Sequence, residues 1–496
     1  MISVKLVTLF LYGSNMNIIN YEEKRIQEQK KIDYILKNRQ VEVEQIYYQD
    51  IYYKENVLDI KQKNDSPIIL KGWCHLNINE VLNEYDKEYW DFKGVKKEGL
   101  HTLGRYPATM VAPMQNELLS ILIRQNENIK TLLDPFMGSA TTLVEGCNLG
   151  LDVTGIDINP YAVLLGEVKT CMYDLERINT MLNNVEEKLF SESYHYSIHT
   201  FNNIDKWFKT DIINSLSKIR QVIIEEKDIW IKKFLWICFS EVIYRHSNTR
   251  TNTFKLHLKT MTDIESIEDN CFEMFIKLIK SNMEVLNTSF QPNAKIYSGD
   301  SINVLKGLNK CFDVICTSPP YGDNATTVTY GQASILYLKW IDFTDLDCDK
   351  ELLSNYSRID SVSLGGRLNK NELPNIPEAH NYINSLSENK QDKVKRFISD
   401  YYVVLKELCN VLNNGGYMVF TVGNRKVDGI QQPLDKITEY TFRNLSLKKI
   451  NTFTRTIPTK RIPFRVSNVK NNGSVKSINK ETIIIYKKWK TKLKGV

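Results

Sequence analysis

The chain has 496 residues, 42% hydrophobic and 25% charged, which excludes a disordered or collagen-like polymer and provides for a core of normal size. Lys and Arg total 65 against 59 Asp and Glu, a net charge of +6, so any nucleic-acid partner must be met by basic residues concentrated locally. Nine cysteines without a C-x-x-C pair are too sparse for a disulfide scaffold and argue against structural zinc; the expected setting is a reducing cytoplasm, with no metal.

At this length about three domains, or one large domain with insertions, are expected. No apolar run approaches the ~20 residues that span a bilayer, so no membrane partner is expected. Residues 1–12 have a short apolar centre and no small-residue cleavage pattern. They read as a first strand, or as an over-extended start ahead of Met16, and not as a signal peptide. Residues 17–100 are rich in Glu, Lys, Asn and Tyr, 1–100 form an N-terminal extension without visible chemistry, and 21–36 has the look of an exposed helix.

From about residue 101 the pattern turns α/β. Strand-length apolar runs at 131–133, 152–156, 294–297, 312–316 and 417–422 alternate with helical stretches, and each closes on polar, Gly or Pro residues. Parallel sheets bind ligands outside the carboxyl ends of their strands, so these closures are where a site is sought. Residues 448–455 and 482–487 suit an antiparallel pair closing the sheet edge. Two stretches interrupt the series. Residues 172–290 carry helical periodicity at 177–189, 211–224 and 229–244, an inserted helical subdomain. Residues 322–400 follow the fourth strand; the charged run 345–395 reads as solvated surface or a partly ordered loop.

The first strand ends in Asp134-Pro135-Phe136-Met137-Gly138-Ser139-Ala140-Thr141-Thr142, and a helix over 143–149 follows. Small residues in a strand-to-helix turn let the backbone approach a ligand, and the helix start supplies free N–H groups. Asp157 closes the next strand, where a carboxylate suits a ribose diol. These residues point to an adenosine-containing cofactor, against the plainer reading of an ordinary tight turn. The fourth strand ends in Thr317-Ser318-Pro319-Pro320-Tyr321. Two prolines stiffen the backbone and leave carbonyls to accept from an amino group, with an aromatic ring alongside for stacking. Cys316 precedes this motif and reads as a small buried hydrophobe.

Together the two motifs resemble those of the amino-group DNA methyltransferases that use S-adenosylmethionine. His101–Pro113 is similar to that family's N-terminal cofactor motif, 155–160 to its second, 298–301 to its third, and 412–416 leading to 422–424 to its late sheet motif. The resemblance covers about 101–171 and 294–488. It departs at Ala140 and Thr109, where the family usually has Gly and Lys. Ala140 leaves the turn intact unless that position takes a positive φ.

The resemblance implies an α/β fold, a Rossmann-like methyltransferase sheet carried by 101–171 and 291–488 with the inserted subdomain at 172–290. It implies a cofactor site of Tyr106, Pro107, Asp134, Pro135, Phe136, Gly138, Ser139, Thr141, Asp157, Asn159 and Asp300, with Asp157 on the ribose and Asp300 on the adenine amine. Ser318, Pro319, Pro320 and Tyr321 would hold a base flipped from double-stranded DNA. Methylation at ring carbon 5, which needs a nucleophilic Cys at the strand end, is set aside. The Ser at the head of the motif favours cytosine N4, with adenine N6 the alternative. An RNA base-amine methyltransferase and a DNA-binding subunit with a degenerate cofactor site are the other readings. A cognate restriction endonuclease is a candidate partner.

Target recognition is expected in the inserted region. Its segment 244–259 is basic and polar with interleaved aromatics, and Arg245, Arg250 and Lys255 are its candidate DNA contacts. A second basic stretch, 455–465, adds Lys460 and Arg461. Residues 326–332 could act as a flap over the base, or be a turn before a helix at 334–341.

Overall fold

The computed structural model describes residues 51–54, 57–61, 67–70, 77–107, 109–251, 255–287, 292–322, 329–354, 356–366, 371–423, 425–457 and 480–489. The expectations for 1–16, for the helix at 21–36 and for Thr326–Val328 lie outside them. So do Lys460 and Arg461. The chain divides into two compact units, 1–81 and 82–496.

The first unit holds an antiparallel meander of β1 (Ile51–Lys54), β2 (Val57–Lys61) and β3 (Pro67–Leu70). Sequence reading gave this stretch no fold of its own. At its end Asn77 and Glu80 cap each other: each side chain accepts from the other's backbone N–H, at 2.8 and 3.1 Å.

The second unit is built on a seven-stranded sheet of order β11-β12-β8-β7-β4-β5-β6. Its strands are β4 (Thr131–Asp134), β5 (Asp152–Asp157), β6 (Ala294–Ser298), β7 (Phe312–Thr317), β8 (Leu412–Gly423), β11 (Leu447–Thr456) and β12 (Lys480–Lys488). A short hairpin, β9 (Lys426–Val427) with β10 (Ile430–Gln431), lies between β8 and β11. β4 pairs in parallel with β5 on one side and β7 on the other, so the strand order reverses at β4. β6 and β8 extend the sheet in parallel, and β12 enters antiparallel between β8 and β11. This is the expected α/β sheet with its expected closing pair. β8 starts earlier than the apolar run suggests. Asn413–Gly416 bulges out of register against β7, where Phe312 faces Leu412 and Val314 already faces Tyr417.

Both faces are covered, as apolar parallel strands require. One face carries the helices Glu388–Asn410 and Leu434–Asn444, whose Phe397, Tyr401, Leu405 and Phe442 pack on Ile315 and Phe420. The run 345–395 is therefore not simply a loop. It holds the helix Pro377–Asn384 and the start of Glu388–Asn410, with Ala379, Ile383 and Val394 buried. On the other face the inserted helices Leu175–Phe190, Thr210–Ile224, Ile229–His246 and Cys271–Met283 share one apolar cluster with Tyr161 and Leu165 of helix Pro160–Lys169 and with Trp340 of helix Tyr330–Trp340. Trp340 meets Phe201, Phe208 and Phe239 edge-on, at ring separations of 5.8, 5.5 and 6.2 Å. The insertion is thus packed on these two helices in one apolar cluster. No helix among the described residues is long and apolar enough to cross a membrane.

Candidate active site

The ends of β4, β5, β6 and β7 meet at the reversal in strand order, where an open parallel sheet leaves its ligand crevice. Short bonds tie these ends together. Gly299 N donates to Asp157 O at 2.9 Å, and Ser301 Oγ to Pro135 O at 2.6 Å. Thr317 Oγ1 donates to Asp134 Oδ1 at 2.7 Å.

Asp134 is fully buried beneath the turn it begins. Its Oδ1 also accepts from Phe136 N at 3.1 Å, and the Thr142 hydroxyl lies beside the carboxylate. Burial raises its pKa to about 6, against the pull of the Thr317 and Phe136 bonds. It serves as the strut joining the two motifs, not as a group on the open face.

Above it the turn passes through Gly138 and Ala140, both with positive φ, 48° and 60°. At Gly138 a Cβ would stand a tight 3.1 Å from the Tyr106 ring, on a backbone whose positive φ favours glycine. Position 140 does take the left-handed conformation that disfavours alanine, and the turn forms nonetheless. Ser139 and Thr141 are buried, their hydroxyls 3.1 Å apart, and Lys169 Nζ donates to Ser139 O at 3.0 Å. Burial lowers the Lys169 pKa to about 7.

Asp157 is half-buried at the end of β5. Gly138 N donates to its Oδ2 and Asn159 N to its Oδ1, each at 2.9 Å. Burial outweighs these bonds and raises its pKa to about 6. Asp300 at the end of β6 is also half-buried, and its Oδ1 caps the next helix by accepting from Asn303 N at 3.1 Å. Burial holds its carboxyl above the ordinary range. Asn159 is turned inward. It caps helix Pro160–Lys169 through Tyr161 N and donates to Ser334 Oγ at 3.0 Å. Tyr106 and Pro107 are buried, and Tyr106 stacks on Tyr330 with ring centroids 5.6 Å apart. Tyr330 carried no cofactor role in the sequence reading; its segment 326–332 was a candidate flap, yet it is the first residue of helix Tyr330–Trp340.

These residues fit S-adenosylmethionine. Two half-buried carboxylates stand on neighbouring strand ends, Phe136 is partly exposed beside them, and the Gly138 cradle is one that a Cβ would fill.

At the end of β7, Ser318 and Tyr321 are half-buried and Pro319 is buried. The Tyr321 ring lies on Gly423, the last residue of β8, where a Cβ would come within 2.4 Å of it. Its hydroxyl is 3.0 Å from Ser318 Oγ and donates to Glu481 Oε1 at 2.8 Å. Arg455 Nη1 donates to Glu481 Oε2, also at 2.8 Å. Burial and the Glu481 charge push the Tyr321 pKa up. Sequence reading missed Glu481, and it placed Arg455 in a basic stretch offered to DNA. Arg455 itself is not available to DNA: its side chain is only 5% exposed and pairs with Glu481, while the stretch's candidates Lys460 and Arg461 lie outside the described residues. Cys316 is buried with its thiol on Gln115 Oε1 at 3.0 Å, and burial raises its pKa far above the range of a nucleophilic thiolate.

The segment 244–259 is in two parts. His246, Ser247, Asn248 and Thr249 are buried and held, for example by Asn248 N on Trp207 O at 2.7 Å. Beyond them Thr249 bridges to Leu258, and the exposed Arg250 and Lys255 lie on the turn between. Leu256 N donates to Gln332 Oε1 at 3.3 Å, which brings this turn to the first turn of helix Tyr330–Trp340. Arg245 is exposed and paired with Glu241 at 2.8 Å. Among the described residues no three His, Cys, Asp or Glu side chains gather as a metal site.

Comparison with known proteins agrees with this arrangement. The DNA methylase family profile matches residues 12–167. The chain is 33% identical over 444 residues to Type II methyltransferase M.MvaI of Kocuria varians, covering 83% of this chain and 96% of that one. It is 22% identical over 441 residues to Type II methyltransferase M.BsoBI of Geobacillus stearothermophilus, covering 77% and 85%. A shorter match, 27% over 160 residues, links it to Type II methyltransferase M.MjaII of Methanocaldococcus jannaschii, covering 26% and 30%. With motifs, sheet order and full-length likeness in accord, the chain belongs to the Type II amino-group DNA methyltransferases, whose methyl donor is S-adenosylmethionine.

Proposed function

We propose that the protein methylates N4 of a cytosine flipped out of double-stranded DNA at a specific site, as the modification partner of a restriction endonuclease. The observation that carries this reading is Ser318, a neutral hydroxyl at the head of the Pro-Pro-Tyr turn, held 3.0 Å from Tyr321 OH and joined through Thr317 to the cofactor turn. When bound, the cofactor supplies a methyl group on a sulfonium centre. Asp157 accepts from its ribose hydroxyls, Asp300 from its adenine amine, and Gly138 lets the chain approach it. An exocyclic amine is a poor nucleophile because its lone pair is conjugated with the ring. The Ser318 hydroxyl and the carbonyls of the turn accept the amine's N–H groups, which favours a more tetrahedral nitrogen and aims its lone pair. Tyr321 supports the base ring. Catalysis is then positioning and electrostatics, without a covalent cysteine.

Arg250 and Lys255 are the proposed phosphate contacts. Replacing either with Ala should lower the slope of log affinity against log salt by about one. An unchanged slope removes that residue from the interface.

Nucleoside mass spectrometry on plasmid DNA from expressing cells tests the reaction, with Tyr321→Ala as control. N4-methylcytosine is the expected product. N6-methyladenine overturns the base assignment while keeping the site, and absence of both products overturns the reaction.

A further inference from the structure

The hydroxyl chain at the base-binding turn has a direction, and its far end sets it. A carboxylate only accepts hydrogen bonds, so the Tyr321 hydroxyl must donate to Glu481 Oε1 at 2.8 Å. Its single proton is then spent, and toward Ser318, 3.0 Å away, the Tyr321 oxygen can only accept. The Ser318 proton is spent in turn, which leaves the lone pairs of Ser318 Oγ for a ligand. Glu481 is held in place from behind by Arg455 at 2.8 Å, with side-chain exposures of 15% and 5%. The residues come from the turn after β7, from β11 and from β12, and Tyr321 and Glu481 are 160 positions apart in sequence.

We propose that Glu481, seated by Arg455, is a positioning residue that makes Ser318 a one-way hydrogen-bond acceptor for the exocyclic amine of the target base. The inference rests on the methyl-transfer reading above. A serine hydroxyl is by itself a free rotor. Turned outward as a donor, it would bond to the amine's lone pair and withhold it from the methyl group, and it would welcome a ring carbonyl as readily as an amine. Locked as an acceptor, it leaves that lone pair free and selects amine-bearing bases against carbonyl-bearing ones.

Glu481→Gln tests the inference because it changes direction with little change in shape. Facing Arg455, the glutamine presents its amide oxygen to the guanidinium and its NH₂ to Tyr321, so the chain reverses and Ser318 becomes a donor. The single-turnover methylation rate of E481Q should fall about 10- to 100-fold, the worth of one hydrogen bond to a charged group. Cofactor affinity by titration should stay near wild type, while the thermal melt falls because the buried Arg455 loses its counter-charge. Tyr321→Phe, which cuts the chain and keeps the ring, should show a similar fall, and adding E481Q to it should cost nothing more. Losses that multiply in the double variant, or an E481Q that works at the wild-type rate, overturn the positioning role while the methyltransferase reading stands. If E481Q does not fold, Y321F decides alone: a wild-type rate there overturns the role. Wild-type protein that methylates no DNA overturns both.

Discussion

Ala140 stands at φ 60° with its methyl group buried, in a turn where the only other left-handed residue is Gly138. The strain of a Cβ in this region, relieved by glycine, should make Ala140→Gly more stable by ~1 kcal/mol in equilibrium urea unfolding. A destabilised variant would mean that packing of the methyl group outweighs the strain. Asp157 carries a pH prediction. Its folded pKa is raised to about 6, and ribose hydroxyls bond best to the ionised carboxylate. Cofactor affinity should therefore be full above that value and fall as pH drops through it. Asp157→Asn should flatten this pH dependence and weaken binding at pH 8; an unchanged affinity profile by titration removes the ribose role. Most of these residues were legible because their chemistry comes in compact strings such as Asp134–Thr142 and Thr317–Tyr321. Glu481 was not. It sits in Lys480–Lys488, a strand between β8 and β11 whose sequence carries no motif, and only the folded sheet sets it beside Tyr321.

Strand ends do the positioning at the next scale up. β8 ends on Gly423 because the Tyr321 ring occupies the space of a side chain there. Gly423→Ala should displace the ring and cut turnover about 10- to 100-fold, on the scale of a misplaced reacting group, with cofactor affinity retained. Turnover at the wild-type level would show that the ring has another seat. The parallel strands were readable from their apolar runs, and the closing pair from the strand-like runs at 448–455 and 482–487. The helices Pro377–Asn384 and Glu388–Asn410 were hidden by their own surface. Glu388–Lys395 alone carries five charges, and the buried series Val394, Phe397, Ile398, Tyr401, Val404, Leu405 and Leu408 begins only behind them.

Across the second unit, the insertion at 172–290 and the helices Pro160–Lys169 and Tyr330–Trp340 share one apolar cluster. Trp340→Ala should cost about 3–5 kcal/mol and lower the stability of both together, seen as one shifted transition by circular dichroism and by fluorescence of the remaining tryptophans. Two separate transitions would show that the helices melt alone. The same shared core means that removing 172–290 strips apolar cover from helix Pro160–Lys169, so a deletion cannot by itself report on target recognition. The outer edge of the sheet is protected as well. Trp90 packs on Phe453 with ring centroids 4.5 Å apart, and Asp91 accepts from Thr456 N at 2.6 Å, so β11 offers no bare edge to another chain at that end. Sequence reading assigned 85–92 no task, because a capping role shows only once the edge it caps is known.

The bond from Thr317 to Asp134 joins residues 183 positions apart, yet its span in space is that of adjacent strands. It works as a ruler. The proposed platforms for the methyl donor and for its acceptor are hung on neighbouring rungs of one ladder, so their separation is fixed by β-sheet geometry and not by the length of chain between them. A change in the length of chain between these two residues therefore leaves the distance between the two strand ends as it is.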